Sequence, residues 1–352
     1  MAKPDFSALT RSNIRPLQAY VAKEVPCMVK LDANESPYPF DDPGALMPEE
    51  VLRTLNRYPD PEAGRLKRAI ASTFKVSPDQ LLMGNGSDEL IYYLVLTFGG
   101  PVLYPVPTFS MYGIITQAVG EAHMAIPLDE HFDLDLKKML AAVRTHKPKL
   151  VFLSSPNNPT GNCFSTDRMV AIVNASKGLV VVDEAYLPFS DRESFLGMLA
   201  EKKNLVILRT MSKIGFASLR LGFLVGDAEL VKEVNKVRLP YNVNTLSQAI
   251  AEKVLRRPSL FRSHIRAIVK ERKKMVRALS ELEGVTPFPS DANFILFRVM
   301  HAAGVYEELL AAGVLVRNMN TVIQDTLRVT VGTPEENRVF LGALRRILAG
   351  VS

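Results

Sequence analysis

Three apolar segments of strand length each lead directly into polar residues. The segments LVFLS, LVVV and LVIL are followed by the loop of Asn157, by Asp183, and by the turn that holds Lys213. Helix-like stretches separate the segments, and strands that alternate with helices predict a doubly wound parallel sheet. The carboxyl ends of parallel strands meet at one edge of the sheet, where open α/β folds bind ligands. The three side chains are therefore expected to share one site.

The chain is long enough for more than one hydrophobic core. It has 352 residues, of which 47% are hydrophobic, and single cores rarely serve chains of this length. The predicted fold class is α/β: a large domain at 45–245, with a mostly parallel sheet flanked by helices, and a smaller α+β domain at 246–352. A proline-containing N-terminal arm at 1–44 precedes them. TPEE, which begins at Thr333, predicts the start of the last helix.

The composition argues against several classes of protein. The net charge is +6, but basic and acidic residues are interspersed, so we expect no nucleic-acid partner. The two cysteines lie far apart and the five histidines show no metal-ligand spacing, which predicts neither disulfides nor a metal site. We find no secretory signal and no run of 18 uncharged apolar residues. These observations predict a cytoplasmic protein with no membrane contact.

A glycine turn opens a helix in GNGSDELIYYLVLTF. The backbone N–H groups at Gly86, Ser87 and Asp88 would point at an anion, as they do at helix N-termini that bind phosphate. The pattern is neither GxGxxG nor GxxxxGK[ST], which weakens the prediction of a dinucleotide or triphosphate site. Taken alone, the segment suits a simple helix cap equally well.

These groups together match the chemistry of pyridoxal 5′-phosphate (PLP), a phosphorylated aromatic aldehyde. Lys213 supplies an amine for covalent attachment to the aldehyde. Asp183 would pair with the ring nitrogen and keep it protonated, so that the ring can accept electrons. Asn157 and Tyr186 are predicted to bond the ring hydroxyl, and Tyr112 is predicted to cover the ring face. The phosphate is expected to meet Ser212, Arg220 and the amides of Gly86–Asp88.

The motifs also resemble those of a known family. GNGSDE, SPNNPTG, VVDEAY and SKIGFASLRLGF occur in the order, and with the 30-residue interval from Asp183 to Lys213, that is typical of the fold type I PLP-dependent aminotransferases. SLRLGF departs from the commoner GLRLGY but keeps Arg220. With LDANESPYPF, RYPDP and LRVTVGT, the similarity is greatest to the histidinol-phosphate aminotransferase group and extends from about Leu31 over nearly the whole chain. The resemblance implies a catalytic set of Lys213, Asp183 and Tyr186.

The resemblance also implies partners for the substrate. Arg328 matches the arginine that holds the amino-acid carboxylate, and Arg317 resembles one associated with a substrate phosphate. Asn34 and Tyr20 are implied as further substrate-binding residues. Tyr58, in RYPDP, would reach the cofactor phosphate of a neighbouring subunit, so the resemblance implies a homodimer with shared sites.

Two classes of function are weighed for such a chain. The first is an enzyme that transfers the amino group of histidinol phosphate to 2-oxoglutarate, giving imidazole-acetol phosphate and glutamate in histidine biosynthesis. The alternatives within the enzymes are a phosphoamino-acid decarboxylase of the same lineage or another class I/II aminotransferase. The second class, a ligand-sensing or nucleic-acid-binding relative, usually carries an added DNA-binding domain, for which the short N-terminal arm leaves no room.

Overall fold

The computed structural model describes residues 5–19, 25–40, 44–47 and 49–350. The helices within these ranges are α1 (Phe6–Leu9), α2 (Glu49–Leu52), α3 (Gly64–Phe74), α4 (Ser87–Phe98), α5 (Met111–Val119), α6 (Leu136–His146), α7 (Thr166–Ala175), α8 (Ala228–Asn235), α9 (Thr245–Arg256), α10 (Ser259–Ser280), α11 (Ala302–Ala311) and α12 (Pro334–Leu348). The strands are β1 (Val29–Lys30), β2 (Leu81–Asn85), β3 (Val102–Val106), β4 (His123–Pro127), β5 (Leu150–Ser154), β6 (Leu179–Asp183), β7 (Leu205–Thr210), β8 (Leu221–Val225), β9 (Val285–Pro287), β10 (Phe294–Val299), β11 (Val314–Leu315), β12 (Arg317–Asn318) and β13 (Thr326–Thr330).

The larger sheet described here has seven strands in the order β2-β8-β7-β6-β5-β3-β4. Strand β6 pairs in parallel with both β5 and β7, and β8 is antiparallel to its two neighbours. Ser154 lies opposite Asp183 in this register, and Asp183 lies opposite Leu208. The carboxyl ends of β5, β6 and β7 therefore meet at one edge, as the sequence predicted.

The central strands are apolar throughout because both faces of the sheet are covered. All five residues of β5 are buried, and so are the last four residues of β6. One face packs against a core that includes residues of α3, α6, α7 and α9, and the other against a core that includes residues of α4, α5 and α8. This burial explains why these segments read as continuous hydrophobic runs instead of alternating ones.

A second sheet, antiparallel and in the order β12-β13-β10-β9, belongs to a smaller α+β unit. Its core includes residues of α10, α11 and α12. Strand β1 of the arm pairs with β11 of this unit, so the arm is tied to the small unit. The helix predicted at Thr333 is present, and its first turn carries the reciprocal Thr333–Glu336 capping box. The predicted fold class is confirmed.

Helix α9 lies next to the predicted domain boundary at 245/246. It packs against α3 of the large unit, and Ala251 and Val254 are buried in that unit's core. The division into 1–44, 45–245 and 246–352 stays a prediction. Among the described residues, no helix combines the length and the apolar character needed to cross a membrane.

Candidate active site

A cavity of about 210 Å³ lies where β6 and β7 end. Several predicted site residues line it: Ser87, Asp88, Asp183, Tyr186, Ser212, Lys213 and Arg220. They come from segments up to 133 positions apart (Ser87 to Arg220), and the sheet brings them together. Asp183 and Lys213 therefore share the cavity, as the sequence predicted, whereas Asn157, the third residue expected there, is not among the residues that line it.

Asp183 is the buried acid of this cavity. It is 4% exposed, its Oδ2 accepts a hydrogen bond of 2.9 Å from the Tyr112 hydroxyl, and its Oδ1 accepts one of 3.0 Å from the Ala185 N–H. Burial raises the pKa of Asp183 to about 6, although the two hydrogen bonds act in the opposite direction. Both donors are neutral, and in the part of the chain that the structure describes no salt bridge reaches this carboxylate, so a cationic ligand group in the cavity would supply a countercharge.

Tyr112 occupies a different position from the predicted one. The sequence suggested that it covers a ring face, but its side chain is fully buried and stacks on Phe152 at a centroid distance of 4.8 Å. Burial, and then the nearby Asp183 charge, raise the pKa of the Tyr112 phenol well above its usual value. Phe109 lines the cavity instead. Tyr112 holds Asp183, and Phe109 is the aromatic residue available to a ring in the cavity.

The two asparagines of SPNNPTG also differ from the prediction, because Asn158 and not Asn157 lines the cavity. Asn157 is fully buried, and its side chain is engaged within the protein: it accepts from Thr108 at 2.7 Å and donates to Thr160 at 2.8 Å and to the Pro107 carbonyl at 3.0 Å. The neighbouring Asn158 lines the cavity. Asn157 thus fixes the loop, and Asn158 is the amide that can meet a ligand.

Lys213 lies in the short turn that follows β7. This 3₁₀ turn spans Ser212–Ile214 and ends at Gly215, whose φ of 109° is a left-handed conformation that suits glycine. The Lys213 Nζ lies 5.7 Å from the centroid of the Tyr186 ring. The amine and the Asp183 carboxylate line the same cavity from adjacent parallel strands.

An anion cradle adjoins the lysine. Helix α4 begins at Ser87, after Gly86 with φ of 86°. A Cβ at Gly86 would lie only 2.7 Å from Nη2 of Arg220, so glycine allows the guanidinium to approach the helix N-terminus. Arg220 also pairs with Asp88 at 3.5 Å, with both side chains about half exposed. The Gly86 N–H already donates to the Gly84 carbonyl at 2.9 Å. The first-turn N–H groups of Ser87 and Asp88, with the Ser212 hydroxyl and the Arg220 guanidinium, are therefore the donors that suit a phosphate.

The four residues predicted to bind substrate are placed differently from one another. Arg328 is 8% exposed and donates to the Asn158 Oδ1 at 2.5 Å and to the Asp32 carbonyl at 2.7 Å. Arg317 lies opposite it in the β12–β13 register and is exposed. Asn34 donates to the Tyr186 hydroxyl at 3.0 Å and does not line the cavity. Tyr20 lies outside the described residues.

Tyr58 is not among the residues that line the cavity of its own chain. Its side chain is 81% exposed, and its ring stacks on Tyr241 at a centroid distance of 4.6 Å. Leu239 nearby in sequence is also exposed. Exposed aromatic side chains that stack on each other are typical of a surface that meets a partner.

The cavity residues fit PLP. The buried Asp183 can pair with a ring nitrogen, Tyr186 and Asn158 can meet a ring hydroxyl, Lys213 supplies the amine, and the Gly86–Asp88 turn with Arg220 suits the phosphate. Sequence reasoning missed Phe109 and Asn158. Phe109 lies three positions before the predicted Tyr112, and Asn158 lies next to the predicted Asn157. The sequence thus identified both motifs but not the residue of each that faces the cavity.

Comparisons with known proteins agree with this geometry. The family model for aminotransferase class I and II matches residues 26–344. Histidinol-phosphate aminotransferase from Aquifex aeolicus is 45% identical over 96% of this chain and 98% of its own length. Among solved structures, histidinol-phosphate aminotransferase from Sinorhizobium meliloti in complex with pyridoxal-5′-phosphate superimposes with a TM-score of 0.88 at 23% identity, covering 97% of this chain and 98% of that one. L-threonine-O-3-phosphate decarboxylase from Porphyromonas gingivalis gives a TM-score of 0.80 at 25% identity, with coverage of 92% and 100%. The extent of the family match and the identity to the Aquifex enzyme establish that this chain belongs to the class I and II aminotransferases.

Proposed function

We propose that the protein is a PLP-dependent transaminase that moves the amino group of histidinol phosphate to 2-oxoglutarate. The observation that carries the proposal is the shared cavity of Lys213 and Asp183, with an anion cradle at its end. A carboxylate that favours a ring cation and an amine that can bind an aldehyde are the two groups this cofactor requires.

The cofactor would be held at three points. Asp183 would meet the ring nitrogen, Tyr186 with Asn158 the ring hydroxyl, and the Gly86–Asp88 turn with Ser212 and Arg220 the phosphate. When bound, PLP supplies a ring that stabilises negative charge on the amine-bearing substrate carbon. Phe109 is positioned to contact the ring.

The protein's own groups then manage charge and protons. Asp183, with its pKa raised by burial, gains a cationic partner that offsets the cost of desolvating its charge. Lys213 Nζ would act as the base that takes the proton from the amine-bearing substrate carbon and then as the acid that delivers it to the cofactor carbon. Tyr186, which lines the cavity, is only 5% exposed, and the buried Arg328 holds the cavity residue Asn158 in place.

The relatives favour amino transfer over decarboxylation. The Aquifex histidinol-phosphate aminotransferase is 45% identical over 98% of its own length, and among the solved structures the Sinorhizobium aminotransferase has the higher TM-score, 0.88 against 0.80 for the Porphyromonas decarboxylase, at similar identity. The direct test is to incubate the purified, PLP-loaded protein with histidinol phosphate and 2-oxoglutarate and to follow glutamate. Release of carbon dioxide from threonine phosphate without glutamate formation would favour the decarboxylase. The cytoplasmic location and the role in histidine biosynthesis remain predictions.

Arg328→Ala is expected to impair the glutamate half-reaction most. Losing one member of a buried charge-assisted pair costs about 2–5 kcal/mol, or about 30-fold or more in KM, and glutamate depends on its carboxylates for binding. Histidinol phosphate has no carboxylate and retains its phosphate contact, so its KM should change less. Steady-state kinetics of each half-reaction provide the measurement.

Arg298→Ala is the matched control for this change. Arg298 belongs to the same sheet but is exposed and lies over Phe288. Because Arg328 also holds Asn158, the PLP dissociation constant is measured alongside. Equal losses in both half-reactions, at unchanged PLP affinity, would contradict the proposed division between the two substrates.

The same proposal includes a two-fold dimer in which Tyr58 completes the partner's site. Its exposure and its stacking on Tyr241 support this role, as does the prevalence of two-fold dimers among soluble oligomers. Mixing Tyr58→Ala with Lys213→Ala is expected to restore activity, because one site of the heterodimer then carries both defects and the other neither. Activity after subunit exchange is the measurement.

A second mixture supplies the control for complementation. Lys213 and Asp183 line one cavity of one chain, so Lys213→Ala mixed with Asp183→Asn leaves a defect in both sites and should recover nothing. If the Tyr58 mixture also stays inactive, although heterodimers form and Tyr58→Ala alone is impaired, Tyr58 does not serve the neighbouring site.

A further inference from the structure

We propose that Asn34 is a positioning residue that fixes the Tyr186 hydroxyl as a hydrogen-bond donor into the cavity. Asn34 is 2% exposed, and Nδ2 of its amide donates to the Tyr186 hydroxyl oxygen at 3.0 Å. Its neighbours Ala33 and Glu35 line the cavity, whereas Asn34 itself points to Tyr186. The inference rests on the proposed cofactor and concerns how the protein holds the group that meets the ring hydroxyl.

The orientation of the Asn34 amide follows from its other contacts. Its main-chain N–H donates to Thr330 Oγ1 at 3.0 Å, and the same hydroxyl donates to Asn34 Oδ1 at 3.4 Å. The Asn34 carbonyl accepts from the Asn293 amide at 3.0 Å. The Thr330 hydroxyl can donate to Oδ1, and this assigns Nδ2 to the Tyr186 oxygen. The φ of 55° at Asn34 is a left-handed conformation that asparagine tolerates better than most residues.

This arrangement gives the Tyr186 hydroxyl a direction. Its oxygen receives the Asn34 hydrogen bond, so its own proton is free to point elsewhere, and no described residue accepts it. Tyr186 lines the cavity, which leaves a ligand oxygen there as the acceptor. A donated hydrogen bond stabilises the ionised form of a ring hydroxyl. Asn34 should therefore lower the pH at which the ring hydroxyl of bound PLP loses its proton.

Two substitutions suit the backbone at position 34. Aspartate and glycine both tolerate a positive φ, so neither Asn34→Asp nor Asn34→Gly strains the loop. In Asn34→Asp, the ionised carboxylate can only accept, so it would draw the Tyr186 proton away from the cavity. Asn34→Gly would remove the amide and leave the hydroxyl without a fixed direction. Tyr186→Phe removes the donor itself.

The measurement is a pH titration of the absorbance spectrum of bound PLP. Losing one charge-assisted hydrogen bond should shift the transition by about one pH unit, or about tenfold in proton affinity. We expect Asn34→Asp to shift it upward about as far as Tyr186→Phe, and Asn34→Gly by less. The double variant Asn34→Asp/Tyr186→Phe should shift no further than Tyr186→Phe alone, because Asn34 acts through that hydroxyl.

Asn244→Asp is the control for the added charge, since Asn244 is exposed, caps α9 through an Oδ1 that a carboxylate can replace, and is not among the cavity residues. It should leave the transition in place. The inference is overturned if Asn34→Asp and Asn34→Gly titrate like wild type while Tyr186→Phe shifts, if the double variant shows the sum of both shifts, or if Asn244→Asp matches Asn34→Asp. A wild-type protein that forms no PLP chromophore would instead overturn the proposed function.

Discussion

Replacing Lys213 by alanine is expected to reduce amino transfer by about 10²–10⁴-fold or more, the range that a positioned acid–base group contributes. Lys213 is the lysine that lines the described cavity, at the end of β7 and beside Tyr186. Single-turnover measurement with glutamate isolates the proton transfer, because it requires neither the second substrate nor product exchange.

Two further observations make this test specific. Borohydride treatment of the wild-type protein should retain PLP covalently on the peptide that contains Lys213. Lys203→Ala is the control, since Lys203 is 70% exposed and pairs with Asp227; its activity should match wild type. A retained label on another lysine, or full turnover by Lys213→Ala, would contradict the assignment.

Asp183→Asn is expected to stabilise the cofactor-free protein at neutral pH while it lowers turnover. The pKa of Asp183 is raised by burial to about 6 in the folded protein, against about 3.9 in an unfolded chain. The folded state therefore binds more protons than the unfolded state between these values. The contribution of Asp183 to stability is most favourable below about pH 4 and declines as pH rises through about 6, and by pH 7 this group's loss is about 3 kcal/mol.

The asparagine variant should lack this pH dependence. Urea unfolding of both cofactor-free proteins at pH 4 to 8 provides the measurement, with the free energies of unfolding diverging as pH rises. Adding PLP should stabilise wild type more than the variant, because only the carboxylate gains a cationic partner. In the loaded enzyme, the variant should deprotonate the substrate more slowly, since a neutral amide supports a ring cation poorly.

Asp227→Asn is the control with the opposite sign. Its ion pair with Lys203, together with backbone hydrogen bonding at the start of α8, lowers the pKa of Asp227. Its substitution should therefore reduce stability at neutral pH. If Asp183→Asn also destabilises the cofactor-free protein at pH 7, the carboxylate is better solvated or paired than its surroundings indicate.

The sequence by itself determined the sheet and the location of the site. Continuous apolar runs mark strands buried on both faces, and the side chains that follow β6 and β7, Asp183 and Lys213, must lie at the same edge because parallel strands share a direction. The sequence also predicted the glycine turn before α4, because glycine permits the backbone conformation that exposes the N-terminus of the following helix.

The tertiary structure alone decided which side chain of a motif faces the cavity. Asn157 and Asn158 are adjacent, but Thr108 and Thr160 engage the first while Arg328, 170 positions away, engages the second. The sequence could likewise not separate the roles of Phe109 and Tyr112, nor assign Asn34 to Tyr186. Hydrophobic periodicity specifies the face of an element, whereas the direction of a single polar side chain depends on partners supplied by distant segments, and these come together only when the chain is folded.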